Sequence, residues 1–139
     1  MKKTIFLFLV LGITACKRQF EPINYGHEAC AYCKMTIMDK HFAAEILTSK
    51  GKAIKFDDLG CLLSYIKEEH FTDEDASIFV ADYNNPDGDF LNARKAVYIK
   101  SDQLKSPMGG NYASSPTTAA ANKLNAAFNS TLLNWDNLK

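Results

Sequence analysis

Short runs in which apolar and polar residues alternate fill most of this chain. "FAAEILTS" (42–49) and "KAIKFD" (52–57) are two extended runs joined across Lys50-Gly51, which predicts a hairpin. "DDLGCLLSYIKEEH" then changes the period. Leu59, Leu62, Leu63 and Ile66 fall at i, i+3, i+4 and i+7, the stripe of an amphipathic helix, and Asp57 or Asp58 stands where a cap belongs. On that reading Cys61 lies on the face opposite the leucines. "TDED" breaks the helix and "SIFVADY" (77–83) reads as a buried strand, completing β-β-α-β.

"NNPDGD" (84–89) is dense in turn formers and marks a boundary. Beyond it the order recurs: a strand "KAVYIKS" (95–101), a glycine-led strand "GGNYASS" (109–115), a helix over "SPTTAAANKLNAAFN", and a closing strand "TLLNWDNL" (131–138). Ser115 is the predicted N-cap, Pro116 the first helical residue, and Ala120, Leu124, Ala127 and Phe128 the buried stripe. The predicted fold class is therefore α+β, with two small ββαβ halves at 27–83 and 84–139 and an element order that points to internal duplication. Halves of about 50 residues bury little alone, so the two sheets are expected to share a core or to pack face to face.

The N-terminus follows no such pattern. Lys2 and Lys3 precede "TIFLFLVLGIT", an apolar run shorter than the roughly 20 residues of a membrane span, and residues 1–15 read as a signal peptide. The ending "ITAC" resembles the lipobox of bacterial lipoproteins, which makes Cys16 the acylated first residue of the mature chain and 16–26 the anchor and spacer. This predicts a protein on the periplasmic face of a bacterial membrane. Lys17, in place of the aspartate that commonly retains lipoproteins in the inner membrane, favours the outer one.

Composition narrows the class. Apolar residues make up 47% and charged residues 23%, a globular balance, and 16 basic against 16 acidic residues argue against a nucleic-acid binder. With Cys16 acylated, Cys30, Cys33 and Cys61 remain, an odd number that leaves a thiol for a metal or a partner. No glycine-rich phosphate loop, nucleophile elbow or glycosidase-like carboxylate pair is present, and the chain is not read as an enzyme.

The chemistry concentrates in "EACAYCKMTIMDKHFAAEI" (28–46). Cys30 and Cys33 form a C-x2-C, whose sulfurs can converge in one turn. Structural zinc wants two more ligands, and neither a second C-x2-C nor an H-x3-5-H exists. A thiol–disulfide oxidoreductase places this motif at the start of a helix after a buried strand, and here it follows the spacer. A plain disulfide stays open. Met35, two residues after Cys33, shares its face along an extended segment and presents a thioether beside a thiolate, the soft donors that select Cu(I). Met38 is assigned to core packing, His27 is a weaker auxiliary ligand, and His41 is a surface or core histidine. Met108, in "KSPMGGNYA", sits in a loop at the hairpin of the second half.

Taken in order, the lipobox, "CAYCKMTI", "FAAEI", "FDDLGCLLSYI", "ARKAVYI" and "SPMGG" resemble the NosL family, bacterial lipoproteins of the nitrous oxide reductase accessory system. The resemblance implies a duplicated ββαβ architecture akin to a domain of organomercurial lyase. It also implies a Cu(I)-binding chaperone that supplies copper to the reductase or its maturation factors. Carried over, Cys33 and Met35 are the metal ligands, with Cys30 and Met108 as further members. The family pattern usually has glycine where this chain has Lys34.

Overall fold

A computed structural model describes residues 19–138; the predicted signal peptide (1–15) and Cys16 lie outside the described residues. The first sheet comes from β1 (Ala44–Leu47), β2 (Ala53–Phe56), β3 (Ser77–Val80) and the two-residue β4 (Leu91–Asn92), in the order β2-β1-β3-β4, all antiparallel. Between β2 and β3 runs helix α1 (Leu59–Glu68). β4, which no alternation announced, adds its strand from beyond the 84–89 turn.

Register explains why a four-residue strand can be buried throughout. Ala44, Phe56 and Val80 stand side by side, as do Ile46, Ile54 and Ile78, and these make the apolar face that receives α1. Glu45, Lys55 and Phe79 occupy the other face. Residues 20–28 lie across it as a strap. The Phe20 ring stacks on Phe90 at 3.8 Å between centroids, and the Glu21 N–H donates to Glu45 Oε1 at 3.0 Å. Lys55 Nζ donates to Glu21 (3.0 Å), to the Pro22 carbonyl (3.0 Å) and to Glu28 (2.9 Å). Burial under the strap pushes the Glu45 carboxyl up to about 7, against the opposing pull of the Glu21 N–H and the Lys55 ammonium.

The second sheet is β6 (Tyr112–Ser115), β5 (Val97–Lys100) and β7 (Thr131–Leu133), in the order β6-β5-β7, with helix α2 (Thr118–Phe128) packed on it and a 3-10 turn at Trp135–Asn137. β5 ties the molecule together. Tyr98 points into the large core with Ala96 and Trp135, and Ile99 points into a smaller one with Leu104, Ala113 and Leu124. Phe42, just before β1, belongs to that smaller core, so each half contributes to the other's interior. The α+β class with two small sheets and two helices is what the element order predicted, and the repeated order is compatible with duplication.

Helix α2 starts later than expected. Ser115 is still paired with Val97 in the sheet, and Thr117 is the N-cap, accepting from the Ala120 N–H at 3.2 Å. The stripe shifts accordingly: Ala121 and Leu124 are buried, Phe128 is half-buried and Ala127 is exposed. Met38, assigned to the core, is 67% exposed. It follows Ile37, which takes the one inward position of that stretch.

Candidate metal centre

The C-x2-C motif folds into a knuckle stitched at its base. Ala29 bridges Thr36, the Cys30 N–H donates to the Met35 carbonyl at 2.8 Å, and the Ile37 N–H donates to Glu28 at 2.9 Å. Between these stitches the chain must turn tightly, and Lys34 does so with φ at 67°. A left-handed residue here breaks the extended alternation that put Cys33 and Met35 on one face. Cys33 is half-buried, while Met35 is 59% exposed. The left-handed turn also explains why glycine suits this position.

The Ala31 N–H donates to the Lys55 carbonyl at 2.8 Å, which docks the knuckle on the end of β2. There Asp57 and Asp58 lead into α1. Asp58 is extended (φ −149°), so the two adjacent carboxylates point different ways. Asp58 caps α1, its Oδ1 accepting from the Cys61 N–H at 2.8 Å. Its Oδ2 accepts from Ser106 Oγ (2.8 Å), the Met108 N–H (3.1 Å) and the Gly110 N–H (3.4 Å). One buried carboxylate thus caps a helix in the first half and gathers the hairpin loop of the second. The loop comes so close that a Cβ on Gly60 or Gly110 would lie 2.9 Å from the other's Cα.

Asp57 points the other way, into the sulfurs. Cys30, Cys33 and Cys61 Sγ and an Asp57 oxygen all lie within 4.8 Å of one another. Cys33 Sγ donates to Asp57 Oδ2 at 3.5 Å, while the buried Oδ1 has no hydrogen-bond partner. The expectation that Cys61 stands apart from the cluster is overturned: it is 2% exposed and belongs to it. The leucine stripe describes the body of a helix, whereas the first turn of α1 is enclosed by β2, the knuckle and the 106–110 loop, which bury more than one face. Leu59, Cys61 and Leu62 are all interior.

Burial pushes the Cys30 thiol up to about 11, opposed by the backbone N–H groups of Asp57, Cys33 and Tyr32 aimed at its sulfur. Cys61 is pushed far up, by burial first and by the neighbouring Asp57 carboxylate next. Protonated sulfurs of this kind ionise when a thiophilic cation replaces their protons. Three soft donors and a carboxylate with a spare oxygen suit a metal ion, and the sulfurs favour Cu(I) over harder ions. Outside the group, Met35 and Met108 (45% exposed) carry their thioethers at the surface. His41 Nδ1 lies 2.8 Å from Asp39, His27 is exposed, and neither joins the cluster. The motif opens no helix of the thioredoxin kind.

Comparison with known proteins is consistent with this architecture. A NosL family profile matches residues 23–139. No curated protein sequence matches the chain. A solved structure, the copper chaperone NosL from Shewanella denitrificans, superposes with a TM-score of 0.72 at 21% identity, covering 86% of this chain and 95% of that one. At that identity it establishes the shared fold. The profile covers most of the chain, and the protein belongs to the NosL family.

Proposed function

We propose that this NosL-family protein is a membrane-anchored periplasmic Cu(I) carrier, acylated at Cys16, that passes copper to nitrous oxide reductase or its maturation factors. It acts by ligand exchange and not as an enzyme. The observation that carries the reading is the convergence of Cys30, Cys33 and Cys61 with Asp57 at the start of α1. Cys33, the half-buried member, is the ligand an acceptor can approach, and exposed methionines stand in the knuckle (Met35) and in the gathered loop (Met108). Copper uptake replaces S–H by Cu–S bonds and releases the protons to solvent. An acceptor's sulfurs then displace these ligands one at a time.

Competition titration against a Cu(I) chelator, under reducing conditions, tests the reading. Cys33→Ser is expected to cost at least tenfold in affinity, and Cys61→Ser to weaken binding as well. Retention of wild-type affinity by Cys33→Ser would sink the assignment. Delivery is tested by mixing the Cu(I)-loaded protein with copper-free nitrous oxide reductase and following the recovery of activity. Intact mass spectrometry of membrane fractions tests the anchor, with Cys16→Ser expected to leave the chain unprocessed.

A further inference from the structure

The strap at residues 20–28 bears on how the domain stands on a membrane; the inference rests on the acyl anchor proposed at Cys16. The segment after the anchor is not a free spacer from Phe20 onward. Phe20 stacks on Phe90 beside β4 and meets Phe79 edge-on at 6.1 Å. Glu21 is held over β1, Pro22 and Glu28 are held by Lys55 of β2, and Ile23 is buried. The strap therefore enters at the β4 edge, crosses the sheet, and delivers the cysteine knuckle to the β2 edge.

From Cys16 to Phe20 the chain takes four steps, which span at most about 14 Å. Crossing the headgroup layer uses roughly half of that, since headgroups thicken the bilayer by about 6 Å per side. The β2 edge is three strand spacings further on, about 14 Å. Lys17 and Arg18 fall within the short connection, where a phospholipid surface attracts cations.

We infer that the domain rests with its β4 edge, around Phe20, Pro86 and Phe90, against the phospholipid headgroup layer, and that the cysteine cluster is turned to the opposite edge, away from the bilayer. These three residues border one shallow hollow. In this pose the copper site faces an acceptor in the periplasm, and the tether limits rotation that would bring the site down to the lipid.

The full acylated chain, nitrogen-15 labelled, would be placed in vesicle-derived nanodiscs of phosphatidylethanolamine and phosphatidylglycerol carrying a gadolinium-chelate headgroup. Amide broadening is expected to be several-fold stronger at Phe20, Gly88 and Phe90 than at Gly60 and Met108. A long glycine–serine insertion between Arg18 and Gln19 should erase that contrast while the protein stays bound. Uniform broadening in the uninserted chain, or stronger broadening at Met108, overturns the orientation. Flotation of the same sample with lipid reports the anchor separately, and a chain left in the soluble fraction refutes the anchor and this pose with it.

Discussion

At the corner between β2 and α1, Asp58 caps the helix by accepting from Cys61 N–H at 2.8 Å; at the corner between β6 and α2, Thr117 does the same for Ala120 at 3.2 Å. Aligned on these caps, the two corners share their backbone plan and little else. Asp57 and Cys61 in the first stand where Pro116 and Ala120 stand in the second. Residues 116–119 are exposed, while the first corner is covered by the knuckle and by the 106–110 loop. A strand-to-helix turn is common property of both halves. Burying sulfurs and a carboxylate there requires the two segments laid over it, one from the chain's own N-terminal side and one from the other half.

The largest expected effect tests that difference directly. Asp58→Ala removes a helix cap and a charged acceptor for three loop donors, and leaves the buried Ser106 hydroxyl without that acceptor. About 4 kcal/mol of stability should be lost, since a cap is worth about 1 kcal/mol and each of the two shorter bonds to the charged group, from Ser106 and Met108, about 1.5. Thr117→Ala loses only the cap, about 1 kcal/mol. Urea unfolding of the two variants checks the ratio, and equal losses would mean that the Asp58 bonds to the loop contribute nothing.

The two sheets differ in the same way. The central strand of the second, β5, buries Tyr98 and Ile99, whereas the central strand of the first buries a carboxylate under the strap. Glu45 has its pKa raised by burial to about 7 in the fold, above the ordinary carboxyl value of about 4.5. Its protonated form is the one the fold prefers. The stability it contributes is full below about pH 4.5 and is lost as pH rises toward 7. At most roughly 3 kcal/mol is involved, at 1.36 kcal/mol per pKa unit. Glu45→Gln, which keeps an oxygen for the Glu21 N–H, should stabilise the protein at pH 8 and leave it unchanged at pH 4. Stability that falls equally at both pH values in this variant would show that the charge at Glu45 is not what matters.

These cases also show what the sequence could reveal. Period and turn residues located both hairpins, both helices and the recurring order, because those signals are local. Asp58 as a cap was readable for the same reason. Cys61 and Asp57 were not, since their neighbours come from the knuckle at 30–33, and no periodicity within "DDLGCLLSYI" records what covers its first turn. The strap was hidden likewise: Glu45 reads as the polar face of an alternating strand until residues 20–28 close over it. The C-x2-C motif was found by spacing alone, while the left-handed turn at Lys34 was visible only as a departure from the family's usual glycine.

Another left-handed residue lies in the second half, where Asn129 ends α2 at φ 44°. Asparagine adopts the left-handed region with little penalty, and lysine does not. Lys34→Gly should therefore stabilise the protein by about 1 kcal/mol, and Asn129→Gly by a few tenths at most. Thermal unfolding distinguishes the two, and no gain at Lys34 would mean that its ammonium bond to the Ala31 carbonyl offsets the backbone penalty.

The smallest effects on stability belong to the methionines, where stability and copper should separate. Met108 and Met38 are both exposed, so replacing either by alanine should change unfolding free energy by no more than about 0.5 kcal/mol. Their surroundings differ. Met108 donates its backbone N–H to Asp58 at 3.1 Å, within a loop fastened at Ser106 and Gly110, which fixes its backbone beside the first turn of α1. Met38 has no such tie to the corner and lies near Gly26, 4.0 Å from where a Cβ would stand. Chelator competition should show weaker Cu(I) binding in Met108→Ala and parent-like binding in Met38→Ala. Parent-like binding in both would leave Cys30, Cys33 and Cys61 as the whole of the site, and would reduce the second half's part in it to holding Asp58 in place.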